Sequence, residues 1–240
     1  MTFSLGDPNL DLLMKEEPLH DDLEQYVRRT SVMGEMVHSP LVISPLYSRQ
    51  RCAHINGLYE QKRAQIAEAA AARNWQRIVM LHERPYRFTA LQECLMRGLE
   101  EGSSDFWEVV GQVWVDSENI HEHFSAWRSL WKGGDSGGST EFRYRAMSEE
   151  DREGFSKLRS RIRIYRGYSW NRGVKLGMSW TTSRQKAAWF AQRFDERGSG
   201  HVITAYVDKA SIYAFFARRG EQEVVVDPDV IGNKWEHVDL

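Results

Sequence analysis

The chain has 240 residues, 41% of them hydrophobic and 28% charged, with 34 acids against 32 bases for a net charge of −2. A chain of that length buries a core without disulfide or metal staples, so one large domain or two small ones are expected, and no apolar run approaches the roughly 18 to 20 residues of a membrane span. The first thirty residues are acidic and interrupted by Pro8 and Pro18, unlike a secretory signal, and Cys52 and Cys94 stand alone, so a reducing, cytoplasmic location with no membrane partner is the expectation.

Four of the six prolines, Pro8, Pro18, Pro40 and Pro45, fall in residues 1–45, where no helical or alternating pattern is sustained, and this stretch reads as an irregular arm. From Leu58 to Met80 the composition and the spacing of Ile66, Ala69 and Ala70 predict one long, partly exposed helix. Pro85 ends it. A second helix is expected from Arg87 to Leu99, with Leu91, Leu95 and Leu99 on one face, and a third from a cap at Asp105, with Phe106, Val110, Val113 and Trp114 as its stripe. Asp116 to Asn119 breaks the pattern before a fourth helix ending at Trp131. The pairs Trp107/Trp114 and Trp127/Trp131 each share a helix face, which predicts an aromatic core and leaves a ligand-stacking box as the other reading.

Residues 133–140, Gly-Gly-Asp-Ser-Gly-Gly-Ser-Thr, have the glycine spacing of a phosphate loop, but Ser139 stands where the lysine must be, so a connector is expected. The helical region is accordingly set at 46–140 and a second module at 141–240. In the latter, Ser148 to Asp151 opens a short helix in capping-box fashion. Strands are predicted at Ile162 to Tyr165, Met178 to Thr181, Val202 to Val207, Ile212 to Phe216 and Glu223 to Val226. One helix, Arg184 to Phe194, turns Ala187, Phe190, Ala191 and Phe194 inward. The expected class is α+β, a helical front half followed by a strand-rich module.

Three segments of that module carry chemistry: Tyr165-Arg166-Gly167, Ser179-Trp180-Thr181 and Glu221-Gln222-Glu223-Val224-Val225-Val226. Strand alternation would put Glu221 and Glu223 on one face, where like charges repel unless solvent, a cation or a substrate lies between them. A metal at His121-Glu122-His123 is poorly supported, because i and i+2 on a helix point to different sides, and no metal is expected. Cys94 has no partner in sequence that would make it a nucleophile.

In this order, an arginine closing a strand, a serine strand followed by an Ala-x-x-Phe helix, and Glu-x-Glu running into aliphatics, the set resembles the Arg-Ser-Glu class of mono-ADP-ribosyltransferases. The likeness covers roughly residues 160–230 and is closest to compact versions associated with phages and bacterial toxin or defence systems. Trp180 replaces the middle threonine of the serine motif, and twelve residues separate Arg166 from Ser179, fewer than in many toxin relatives. The resemblance implies two small packed sheets with one main helix, NAD as co-substrate, a macromolecular acceptor, with protein arginine favoured over nucleic acid, and a cognate inhibitor protein as a further partner. It implies that Arg166 anchors the pyrophosphate, that Glu223 stabilises charge developing on the ribose in an oxocarbenium-like transition state, that Glu221 handles the nucleophile and that Ser179 holds Glu223. Gly167, Thr181, Tyr165, Trp180 and Phe190 complete the expected NAD site, Tyr165 and Trp180 as stacking or packing rings. The same residues with water as nucleophile would make an NAD glycohydrolase, and a silent interaction module is the reading from another class.

The balanced charge at first argues against phosphate-bearing partners, yet it is a cancellation: residues 1–155 hold 17 bases and 25 acids, residues 156–240 hold 15 bases and 9 acids.

Overall fold

A computed structural model describes residues 16–46, 48, 52–117, 120–133, 139–169, 176–193, 200–217 and 220–238. The chain forms two compact units, Met1–Leu99 and Glu100–Leu240. The expected boundaries at 45 and 140 are therefore replaced by one at residue 99, and the helical region is divided between the units.

In the first unit a short helix α1 (Asp21–Glu24) leads into β1 (Val27–Thr30), β2 (Gly34–His38) and β3 (Ile43–Pro45), an antiparallel sheet in that order. The irregular arm is thus corrected over its described part. The strands escape a pattern reading because Arg28, Arg29 and Thr30 are all exposed and Val37 is the one fully buried residue of β2. Helix α2 (Ala53–Ala71) follows, then α3 (Trp75–Leu81) and α4 (Arg87–Met96). The single long helix expected over residues 58–80 is two, because Arg73 turns to φ 50° and the Asn74 side chain accepts the Arg77 amide, capping α3. Leu19, Leu23, Val37, Val42 and Ile55 form the core beneath the sheet.

The second unit begins with α5 (Ser104–Asp116), capped by Ser103 with Asp105 inside its first turn, and α6 (Phe124–Lys132). Residues 134–138 of the glycine-rich segment and Phe194 lie outside the described residues. Helix α7 (Glu149–Ser156) has a full Ser148/Asp151 capping box. There follow β4 (Arg161–Ser169), β5 (Ser179–Thr181), α8 (Arg184–Gln192), β6 (Gly200–Asp208), β7 (Ile212–Phe216), β8 (Glu223–Val226), a turn of helix α9 (Pro228–Ile231) and β9 (Trp235–Val238). All six strands join one antiparallel sheet in the order β7-β8-β5-β4-β6-β9. Mixed helix and antiparallel sheet make the chain α+β. Instead of two separate sheets there is one with a waist, since β4 and β5 share a single register pair, Tyr165 with Thr181. Strand β9 was not expected, being four residues long, with Glu236 and His237 exposed.

The tryptophan pairs are core. Trp107, Trp114, Trp127 and Trp131 are each at most 1% exposed, with Trp114 edge-on to Trp127 and Trp131 at 5.1 and 5.5 Å. Trp131 in turn stacks on Tyr213 of β7 at 6.3 Å, and Lys132 and Arg128 of α6 pair with buried Asp227 just past β8. Aromatic burial and ion pairing therefore fasten α5 and α6 to the strand module, which is why the boundary at 140 fails.

Helix α8 lies on β4 so closely that a Cβ on Gly167 would sit 2.0 Å from the Ala187 carbonyl oxygen and 2.6 Å from the Ala191 nitrogen. Gly167→Ala must push the helix off the strand, and a loss of about 2 kcal/mol in urea unfolding is expected. Wild-type stability in that variant would show that α8 gives way freely.

Candidate active site

Strands β4, β5 and β8 bring Arg166, Ser179 and Glu223 together around Ser179. Its hydroxyl donates to Glu223 Oε1 at 2.5 Å, and its backbone carbonyl accepts from Arg166 Nη1 at 2.5 Å. The serine is thus the link between a cation and an anion that lie on different strands.

A second donor reaches the same carboxylate oxygen: Trp114 Nε1 of α5, at 3.2 Å. Two donors occupy Oε1, while Oε2 accepts no hydrogen bond among the described residues. Burial pushes the Glu223 carboxyl up to about 7, and the Glu221 charge adds to this, against the Ser179 and Trp114 hydrogen bonds and the Arg166 charge, which favour ionisation. The result is a carboxyl poised to exchange its proton near neutrality.

Arg166 is held in a cramped slot. A Cβ on Gly177 would lie 2.7 Å from Nη2 and 2.9 Å from the central guanidinium carbon, so the absence of a side chain there is what lets the ion fit. Burial lowers the guanidinium to about 10, with Glu223 pulling it back up. Among the described residues its buried Nε has no hydrogen-bond partner. With Nη1 committed to Ser179, the Nε/Nη2 edge is the remaining donor pair.

Glu221 is not placed by strand alternation. It precedes β8, and Gln222 adopts φ 47°, so the expected rule does not operate between residues 221 and 223. The turn is built instead by side chains: Thr181 Oγ1 donates to the Glu221 carbonyl at 2.6 Å, and the Thr182 amide and hydroxyl donate to the Gln222 carbonyl and Oε1 at 3.1 and 2.7 Å. Thr181 therefore has a positioning part, one residue removed from Glu223.

Of the other expected NAD contacts, Trp180, Tyr165 and Gly167 lie in packing, while Phe190 is half-buried beside exposed Trp189. Trp180 is 2% exposed, with its N–H given to the Gly177 carbonyl at 2.8 Å, so its ring is closed to stacking. Tyr165 packs on Ala187, Ala191 and Val202 beneath α8. Phe190 stands edge-on to Trp189 at 5.0 Å, and Gly167 serves the α8 contact. Trp114 is the residue that the sequence reading missed, since only its burial stripe is visible there. Cys94 is buried, and desolvation pushes its thiol up to about 11, which suits packing and not nucleophilic attack.

Compared with models of known protein families, with curated proteins and with solved structures, the chain matches none.

Proposed function

We propose that the second unit is an NAD-dependent mono-ADP-ribosyltransferase with an ADP-ribosyltransferase-like strand module, acting on a macromolecular acceptor. The observation that carries this reading is the link from Arg166 through Ser179 to Glu223, because it joins the three segments whose order resembles the family and gives each a chemical part. NAD supplies a ribose carbon that becomes electrophilic as nicotinamide departs. Its pyrophosphate suits the fork of Arg166, whose buried Nε has no partner among the described residues, once the slot against Gly177 opens to admit it. Glu223, ionised, offers Oε2 to a ribose hydroxyl and stabilises the charge that develops on the sugar. Ser179 and Trp114 keep that carboxylate oriented and lower the cost of its charge. Glu221, close enough to raise the Glu223 carboxyl, is the group for the incoming nucleophile.

Incubation with label on the adenylate part of NAD, followed by separate protease and nuclease digestion, tests the reading. A label that survives one digestion and not the other establishes transfer and names the acceptor class. Nicotinamide release with no macromolecular label would leave NAD hydrolysis in its place, and neither product would remove the enzyme reading altogether.

Trp114→Phe keeps a ring in the core and removes the donor to Glu223. The acid limb of the pH–rate profile, with its midpoint near 7 in the wild type, is expected to move alkaline by about 1 in pH, with the rate at pH 9 unchanged. A uniform loss at every pH would make Trp114 a packing residue alone.

A further inference from the structure

The outer face of β4 is unlike the rest of the sheet. Beyond the end of β4 that α8 covers at Tyr165 and Gly167, alternation places exposed Arg161 and Arg163 on the same side of the strand, about 6.6 Å apart, and exposed Arg159 stands two residues ahead of it. Opposite them in register, β6 contributes Tyr206 across from Arg163, and Asp208 across from Arg161. Tyr206 is 55% exposed, and the Arg161 and Arg163 guanidinium carbons lie 5.5 and 5.8 Å from its ring centre. Arg163 is also fixed at its base: its Nε donates to Thr204 Oγ1 at 3.0 Å, and the buried Thr204 hydroxyl donates to the Ile164 carbonyl.

Like charges in such a row repel, and the ordinary remedy is a carboxylate between them. Among the described residues, Arg159, Arg161 and Arg163 make no ion pair. Asp208 and Glu236, the acids that the register brings nearest, make none either. The row also lies in the basic part of its unit: residues 100–155 hold 5 bases and 13 acids, residues 156–240 hold 15 and 9, while the first unit is balanced at 12 and 12.

We propose that this face of β4 and β6 binds single-stranded nucleic acid, Arg159, Arg161 and Arg163 meeting phosphates and Tyr206 stacking on a base. The spacing of alternate strand residues is comparable to that of neighbouring phosphates in an extended single strand, and a half-exposed ring beside two guanidinium groups is a platform on which an unpaired base can stack. An acidic peptide would satisfy the charges but not the ring. That the bound strand is also the acceptor, so that the transferase modifies RNA or DNA, rests on the function proposed above.

Fluorescence anisotropy with the full chain, without NAD, on labelled single-stranded RNA, single-stranded DNA, duplex DNA and a polyglutamate of equal charge separates these cases. Both single strands are expected to bind more tightly than duplex or peptide, the affinity falling with salt. Arg161→Gln with Arg163→Gln should weaken single-strand binding at least tenfold and reduce the salt slope by roughly 0.7 per arginine, and Tyr206→Ala should cost on the order of tenfold. Arg159→Glu, outside the strand, repeats the charge test without disturbing the sheet. Unchanged binding in these variants, or a preference for polyglutamate or duplex, overturns the proposal. Nicotinamide release measured in parallel is independent of this face: oligonucleotide binding without release would defeat the transferase reading alone, and release without binding would defeat the docking face alone.

Discussion

Glu223→Gln is expected to lower NAD turnover on the order of 10³-fold and, at alkaline pH, to stabilise the protein. The amide keeps an oxygen for Ser179 and Trp114 but carries no charge with which to meet the developing cation. The stability effect follows from the raised carboxyl. Glu223 holds its proton more tightly folded than unfolded, with about 7 against an ordinary 4.5. Its favourable contribution is therefore complete below the unfolded value and is lost as pH rises through about 7. At pH 8 the buried charge costs up to about 3 kcal/mol, less whatever partial solvent access returns. The variant should melt several degrees above wild type at pH 8 and together with it near pH 4, by differential scanning calorimetry. In the wild type, turnover should fall about tenfold for each step of 1 in pH well below 7. Retained turnover in Glu223→Gln would remove Glu223 from the chemistry, and equal melting at pH 8 would show that its charge is already solvated.

Arg166→Lys is the second large effect: an increase on the order of 10² in the KM for NAD at pH 7 is expected, though the formal charge is kept. Two causes act together. An ammonium cannot give one donor to the Ser179 carbonyl and still present a two-pronged edge to a pyrophosphate. The same burial that lowers the guanidinium to about 10 would lower a lysine ammonium as well, and from a lower ordinary value. The variant should therefore lose further affinity between pH 7 and 9, where the wild-type arginine remains charged. Isothermal titration at the two pH values reads both causes. Normal affinity at pH 7 would remove Arg166 as the anchor, and an affinity lowered equally at both would leave geometry as the sole cause.

Much of the second unit was legible because its strands are short apolar runs with their own signals. Strands β4, β6, β7 and β8 and helix α8 lie where Ile162, Val202, Ile212, Val224 and Ala187 predicted them. The hairpin at residues 27–38 was not legible, because its strands bury almost nothing and so carry no alternation. Arg166, Ser179 and Glu223 could be nominated from their order, yet Glu221 was assigned its place by a rule that the left-handed Gln222 suspends. Trp114 was visible as a core residue, and nothing local marks a tryptophan 109 residues from a glutamate as its hydrogen-bond donor.

Legible without the fold were the residue types available for chemistry, the helix cap at Ser148 and the segregation of basic residues toward the end of the chain. These are local properties, set by propensity, capping and charge within a few residues. Packing decided that the tryptophan helices belong with the strand module, that one oxygen of Glu223 takes two donors, and that, among the described residues, Arg166 Nε has no partner and Arg161 and Arg163 beside Tyr206 make no ion pair. Each of these depends on burial and on contacts between distant segments, and desolvation, which moves Glu223 and Arg166 from their ordinary ionisation, exists only once those segments have packed.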